Sequence, residues 1–302
     1  MRGYKSRFRG LHGISRREFL GASGLGGLAL AFPCAGFGYE PLPPLKVRHV
    51  NLAVGAERPF RILHVSDSHI ARIDSRDGEA LYAFAKTRSR IGREFGEYYL
   101  GEAVHHARSA GLKIVHTGDF VDFMSEANLE YAARRFRTDD FLACVGNHEY
   151  WLGADKNEVE EYKSPTIPRL KDVWNGVPVS VARMNGVSFF AFDNAFKTVT
   201  EEIATRFEET VKDGLPIVMV CHVPLWSDGC GIRAKHSCGA PDDAGRETFS
   251  SAFVERVRHE PLVRAVLSGH LHERCDFDFS PTARECVANA LFNGEAAEVC
   301  LS

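Results

Sequence analysis

No apolar run in this 302-residue chain approaches the ~20 residues that a membrane-spanning helix requires. Nor is there an excess of positive charge. Against 40 Asp and Glu stand 37 Lys and Arg, a formal net charge of −3. Without a basic field for wrapping a polyanion, no specific nucleic-acid binding is expected. Internal repeats are missing too, and with them the repeat architectures. What is present is ordinary: 44% hydrophobic and 25% charged residues exclude wholesale disorder and collagen-like chains. The length allows one large domain or two small ones.

The first 38 residues read as an address. Arg2, Lys5, Arg7 and Arg9 form a basic stretch, Arg16 and Arg17 precede Phe19-Leu20, and a glycine-rich apolar run continues to Phe32. A basic region, a short apolar region and small residues near a cut site make a secretory signal. The apolar run, about 20 Å as a helix, is too short to span a bilayer. Gly24-Leu25-Gly26-Gly27 follows no strand and is no dinucleotide loop. The paired arginines resemble the twin-arginine signals of bacterial export. That resemblance implies the twin-arginine machinery as a partner and a periplasmic or extracellular protein, membrane-associated if the signal is retained. It also implies export in the folded state, often with a cofactor inserted. Loss of residues 1–38 removes six Lys/Arg and one Glu, leaving a net charge of −8 and no membrane span.

Residues 39–302 read as one α/β domain. Apolar, β-branched runs at 60–65, 112–116, 141–145, 187–192, 216–221 and 263–267 fit buried strands. Helical patterns occupy 77–110 (long or broken), 126–137, 200–213 and 244–259. Alternation of the two argues for sheet layers covered by helices, with 272–302 adding short antiparallel pieces.

Chemistry concentrates where those strands end. The runs close in Asp67-Ser68-His69, Gly118-Asp119-Phe120-Val121-Asp122, Gly146-Asn147-His148-Glu149, His222, and Gly269-His270-Leu271-His272. Ligands of open α/β sheets bind at strand C-termini, because the loops there converge on one crevice. Oxygen and imidazole donors without thiolate suit Mn, Fe, Zn or Ni. Glycine before Asp119, Asn147 and His270 lets the backbone turn sharply and approach the site. Each element alone is a common turn or polar pair; the five in order are not.

The set resembles the calcineurin-like metallophosphoesterase family over essentially the whole of residues 39–302. The resemblance implies two mixed β-sheets in a sandwich flanked by helices, with a dinuclear metal site at the strand C-termini. It implies that Asp67, His69 and His272 hold one divalent ion, that Asn147, His222 and His270 hold the other, and that Asp119 bridges them. Two such ions offset the charge of a phosphate ester, and a hydroxide formed between them attacks phosphorus in line. His148 resembles the family's phosphate-contacting histidine and is the candidate acid. Asp122 matches the carboxylate that orients it and holds it cationic. Glu149 is expected to secure the local turn. His64 and His116, on strand runs, are expected to be core histidines with hydrogen-bond partners, and His105, His106 and His259 are left out of the site.

Protein Ser/Thr phosphatases of this family carry an arginine after the second motif, where this chain has Phe123. The reading is therefore an exported phosphodiesterase or broad phosphohydrolase acting on a small phosphate ester. A phosphomonoesterase or nucleotidase, and a metal-dependent binding scaffold without catalysis, remain as alternatives. Seven cysteines follow the leader, in a chain addressed to an oxidising compartment. Cys144 and Cys221 are expected to be buried thiols; neither belongs to a C-x-x-C pair. Cys230–Cys238 is the expected disulfide, with Cys275–Cys286 a second if that segment is a hairpin and Cys300 a competitor. Between Cys230 and Cys238, eight residues beyond His222, lie Arg233, Lys235 and His236, candidates for contact with the substrate's phosphate.

Overall fold

The computed structural model describes residues 42–89, 94–153, 160–174, 177–240 and 248–302; the leader sequence lies outside them. Six strand runs fall where apolar periodicity places them: β2 (Phe60–Val65), β3 (Lys113–Thr117), β4 (Phe141–Cys144), β6 (Val187–Phe192), β7 (Ile217–Val220) and β8 (Val263–Ser268). Two more, β1 (Lys46–Leu52) and β5 (Val179–Met184), escape sequence reading. Both are partly exposed edge strands without a continuous apolar signal. The C-terminal pieces are β9 (Cys275–Asp278), β10 (Arg284–Val287) and β11 (Glu295–Leu301).

Two mixed sheets result, in the orders β1-β11-β2-β3-β4 and β5-β6-β7-β8-β10-β9. Between them Ile62, Val115 and Leu142 of the first pack with Phe189, Val218 and Leu267 of the second. The stretch 77–110 is broken into α1 (Gly78–Ser89) and α2 (Glu97–Ala110). Helices α2 and α3 (Glu126–Thr138) cover the first sheet, through Leu100, Val104 and Leu129. The short α4 (Ile167–Lys171) adds Leu170 to that layer. Helices α5 (Glu201–Lys212) and α6 (Phe249–Arg258) cover the second sheet with Ile203, Phe207 and Phe253. Serine or threonine side chains cap α3, α5 and α6 by accepting an orphan amide of the first turn. Among the described residues no helix is long and apolar enough to cross a membrane.

The expected disulfides are not formed: no disulfide joins any of the described cysteines. Strands β9 and β10 do make the hairpin, but Cys275 faces Val287 and Cys286 faces Asp276. One position out of register, the two cysteines project from opposite faces of the sheet. Cys300 lies on β11, in the other sheet. The loop between Cys230 and Cys238 is closed by a bridge pairing of Leu225 with Cys238 and by hydrogen bonds at Cys230 Sγ, from Ser227 N (3.3 Å) and to Leu225 O (3.4 Å). Cys144 and Cys221 are buried, and burial pushes both thiols well above their ordinary pKa.

Candidate metal centre

Five strand ends deliver their side chains to one place. Oδ2 of Asp119 lies 3.6 Å from His69 Nε2, 3.2 Å from His222 Nε2 and 3.8 Å from His148 Nε2. On one side of it stand Asp67, His69 and His272, with single donor atoms of these three and Asp119 all within 4.8 Å of one another. On the other, His222 Nε2 lies 3.1 Å from Asn147 Oδ1 and 3.2 Å from His270 Nδ1. All seven metal-ligand candidates are thus brought together, with Asp119 between the two groups. His272, at 42% side-chain exposure, marks the open side.

Backbone geometry produces this convergence. Asp67, His69, Asp119, His270 and His272 all have φ between 48° and 69°, a region L-residues seldom adopt. Held there by the ends of parallel strands, they store strain of the kind found at functional sites. Two glycines are obligatory for space. A Cβ on Gly146 would lie 2.3 Å from Asp119 Oδ1, and one on Gly269 would lie 1.8 Å from Ser66 Oγ.

Hydrogen bonds fix the tautomers. His222 Nδ1 donates to Thr117 O (2.8 Å) and His69 Nδ1 to Asp122 Oδ1 (2.8 Å), so each presents Nε2 to the centre. Glu149 accepts from the amides of Asp119, Val121 and Gly146, which secures the turn as expected. Burial, reinforced by Asp119, pushes its carboxyl up to about 7. Burial opposes the charged form of His69, yet its hydrogen bond to Asp122 and the Asp67 carboxylate 3.7 Å away win and raise it to about 10. In His270 burial prevails, helped by His222, and the imidazole falls to about 3.

The donor set fits a cation. Oδ1 of buried Asp67 makes no hydrogen bond, although His272 Nε2 lies 3.2 Å away. Buried carboxylates and facing imidazole nitrogens without compensating donors are costly unless a positive charge joins them. Asp67, His69 and His272 would hold one ion, Asn147, His222 and His270 a second, and Asp119 both.

Asp122 does more than expected. It meets His148 Nδ1 both through its backbone carbonyl and through Oδ1, each at 3.0 Å, and it also carries His69. It does not hold His148 cationic: burial wins over Asp119 and Asp122, and the imidazole lies below its ordinary value. Trp151 packs against that ring at 3.4 Å between centroids, tilted by 34°, while buried Tyr150 donates to Asp193 Oδ2 (2.6 Å). Lys235 and His236 are exposed, on the 3-10 segment Asp228–His236; the Arg233 side chain lies outside the described residues. His64 and His116 are the core histidines expected, bonded to Thr117 Oγ1 and Ser68 Oγ and held neutral by burial.

Three residues escape sequence reading. Asn194 Oδ1 accepts from the amides of His222 and Val223 and so sets the β7 loop; its place just beyond β6 was the available signal. Glu285 accepts from Ser268 Oγ and Leu225 N, tying the loops that carry His270 and His222. Arg88 forks onto Asp122 from α1, 34 positions away, with no local signal at all.

A two-sheet α/β sandwich with paired oxygen and imidazole cradles at its strand ends defines a metal-dependent hydrolase of phosphoric esters. A family model, that of the calcineurin-like phosphoesterases, matches residues 60–274, and the chain belongs to that family, whose centre is a dinuclear divalent-metal site. No curated protein sequence matches it. Similar solved structures include a dimetal phosphatase from Danio rerio, at 12% identity over 77% of this chain and 88% of that one, TM-score 0.47. A 5′-nucleotidase from Candida albicans is 17% identical over 82% of this chain and 47% of its own, TM-score 0.41. A purple acid phosphatase from yellow lupin seeds is 11% identical over 76% of this chain and 44% of its own, TM-score 0.45.

Proposed function

We propose that this chain is an exported phosphodiesterase or broad phosphohydrolase whose residues 39–302 act after a twin-arginine leader, residues 1–38, has directed it to the periplasm or beyond. The observation that carries the catalytic reading is the position of Asp119 Oδ2, within 3.2–3.8 Å of imidazoles from three other motifs. Asp67, His69 and His272 are the ligands of the first ion, Asn147, His222 and His270 of the second, and Asp119 of both. When bound, the ions neutralise the phosphate and supply a nucleophile near neutral pH. The export reading rests on Arg16-Arg17 and the apolar run that follows.

The chain's own residues do the rest. His148 Nδ1 is committed to Asp122, which leaves Nε2 to hand a proton to the departing alkoxide. An anionic phosphate against that nitrogen favours the imidazolium that burial alone disfavours. Trp151, packed against the ring at a 34° tilt, covers one face of it. Phe123 is fully buried beside Trp151 and Ala85, which supports a substrate other than a phosphoprotein. Metal content and hydrolysis of bis(p-nitrophenyl) phosphate and p-nitrophenyl phosphate by the purified full chain, across added Mn, Fe, Zn and Ni, test this. Two ions per chain and faster diester turnover are expected. Faster monoester turnover would select a phosphomonoesterase, and metal without turnover a binding scaffold.

A further inference from the structure

Asp122 is shared by three side chains, His69, His148 and Arg88. Its Oδ1 accepts from His69 Nδ1 (2.8 Å) and Arg88 Nη2 (2.7 Å) and lies 3.0 Å from His148 Nδ1, which also meets the Asp122 backbone carbonyl at 3.0 Å; its Oδ2 accepts from Arg88 Nε (2.7 Å). The residue is fully buried, and Arg88 retains 24% of its side-chain exposure. Arginine therefore approaches from the outer side with both prongs of its fork, the geometry that fixes the plane of a carboxylate. Both imidazoles stand on the Oδ1 side of the carboxylate so fixed. A metal-ligand candidate and the candidate acid thus share one residue, His69 through the carboxylate and His148 through carboxylate and backbone carbonyl.

The helix carrying Arg88 is built for this task. Leu81, Phe84, Ala85 and Arg88 follow the i, i+3, i+4, i+7 spacing of one helical face. Phe84 meets Phe123 edge-to-face at 5.7 Å, and Ala85 and Leu81 pack in the same cluster as Phe123 and Trp151. The ring that packs against His148 is thus also part of the seat of α1.

We propose that Arg88 is a positioning residue for the hydrolytic reaction: seated by α1 on Phe123 and Trp151, it locks the Asp122 carboxylate so that His148 is held in line with the leaving group. The proposal rests on the reading of His148 as the acid. Losing the fork frees Asp122 to turn, and Nε2 of His148 then loses its aim. A misplaced acid matters most where the leaving group needs a proton. Ethoxide needs one; p-nitrophenolate leaves without.

The test compares Arg88→Met and Arg88→Lys with the unsubstituted full chain on paired ethyl and p-nitrophenyl phosphate esters. For Arg88→Met, kcat on the ethyl esters should fall about 10²-fold, with KM nearly unchanged and less than about a tenfold loss on the p-nitrophenyl esters. Arg88→Lys keeps the charge without the fork and should recover only part of the loss, and added guanidinium ion should restore Arg88→Met further. Equal losses on both ester classes, or a raised KM with kcat kept, would overturn the proposal. A second readout is independent of turnover. In ¹H–¹⁵N spectra of the metal-free chain, the His69 Nδ1 proton, held by Asp122 Oδ1, should be protected from exchange and should lose that protection in Arg88→Met. An unchanged signal overturns the role of Arg88; a protected signal in a chain that hydrolyses neither ester overturns the enzyme reading instead.

Discussion

The Nε2 atoms of His69 and His272 lie 3.1 Å apart, although the residues are separated by 203 positions in the chain. The His69 Nδ1 proton is already placed on Asp122, so the two Nε2 atoms and the unbonded Oδ1 of Asp67 converge on one point. Such a point is where a cation lowers the energy most. An ion bound only by the native state stabilises it by about 2.7 kcal/mol at a hundredfold excess over Kd. Chelation is therefore expected to lower Tm and abolish hydrolysis, and Asp119→Asn to lose both metal and turnover. A Tm indifferent to chelator would contradict the metal assignment.

Asn194 satisfies the amides of His222 and Val223 and donates to Val223 O at 2.6 Å. Asn194→Leu leaves these buried groups unpaired, at roughly 1–3 kcal/mol each. Occupancy of the second ion should fall roughly 10- to 100-fold in affinity, as for other residues that orient metal ligands. Calorimetric metal titration reads both stoichiometry and affinity. Two undiminished binding steps would refute the role.

Gly146→Ala drives a methyl group to 2.3 Å from Asp119 Oδ1. The carboxylate must move or the turn must open. The expected result is loss of activity with a destabilisation of about 1–3 kcal/mol, the usual range for overpacking. Denaturant melts alongside metal analysis separate a local displacement from global unfolding.

Burial, opposed by its bonds to Ser268 and Leu225, pushes the Glu285 carboxyl from 4.5 up to about 8. Below pH 4.5 the folded and unfolded chains both carry this proton. Between 4.5 and about 8 the unfolded chain has released it while the folded chain keeps it, so stability falls as pH rises through that window. With about 1.4 kcal/mol for each pKa unit, the effect amounts to a few kcal/mol. Glu285→Gln should flatten the Tm-against-pH curve relative to the unsubstituted chain. Parallel curves would show that Glu285 does not titrate in this way.

Sequence reading located the fold's central strands and the Asp, Asn and His donors that the structure brings together at their ends, because each motif is local: an apolar run, a turn and a donor within a few positions. It missed the edge strands β1 and β5, since half-exposed strands lack the continuous apolar signal. It mispaired Cys275 with Cys286 because a hairpin's register depends on the conformation of its turn, not on symmetry about Pro281. It assigned Asp122 to His148 alone and expected a cation there. Burial, which no motif records, reverses that sign.

The sequence by itself determined which side chains can take part: Asp, Asn and His at strand ends, with glycine where a Cβ would collide. That much follows from covalent order and local geometry. Only the tertiary structure decided how they share charge. Arg88 reaches Asp122 across 34 positions, Glu285 reaches Leu225 across 60, and His69 faces His272 across 203. The contacts and their desolvation arise when two sheets and their helices close over one another, and no local pattern in the chain encodes that distance.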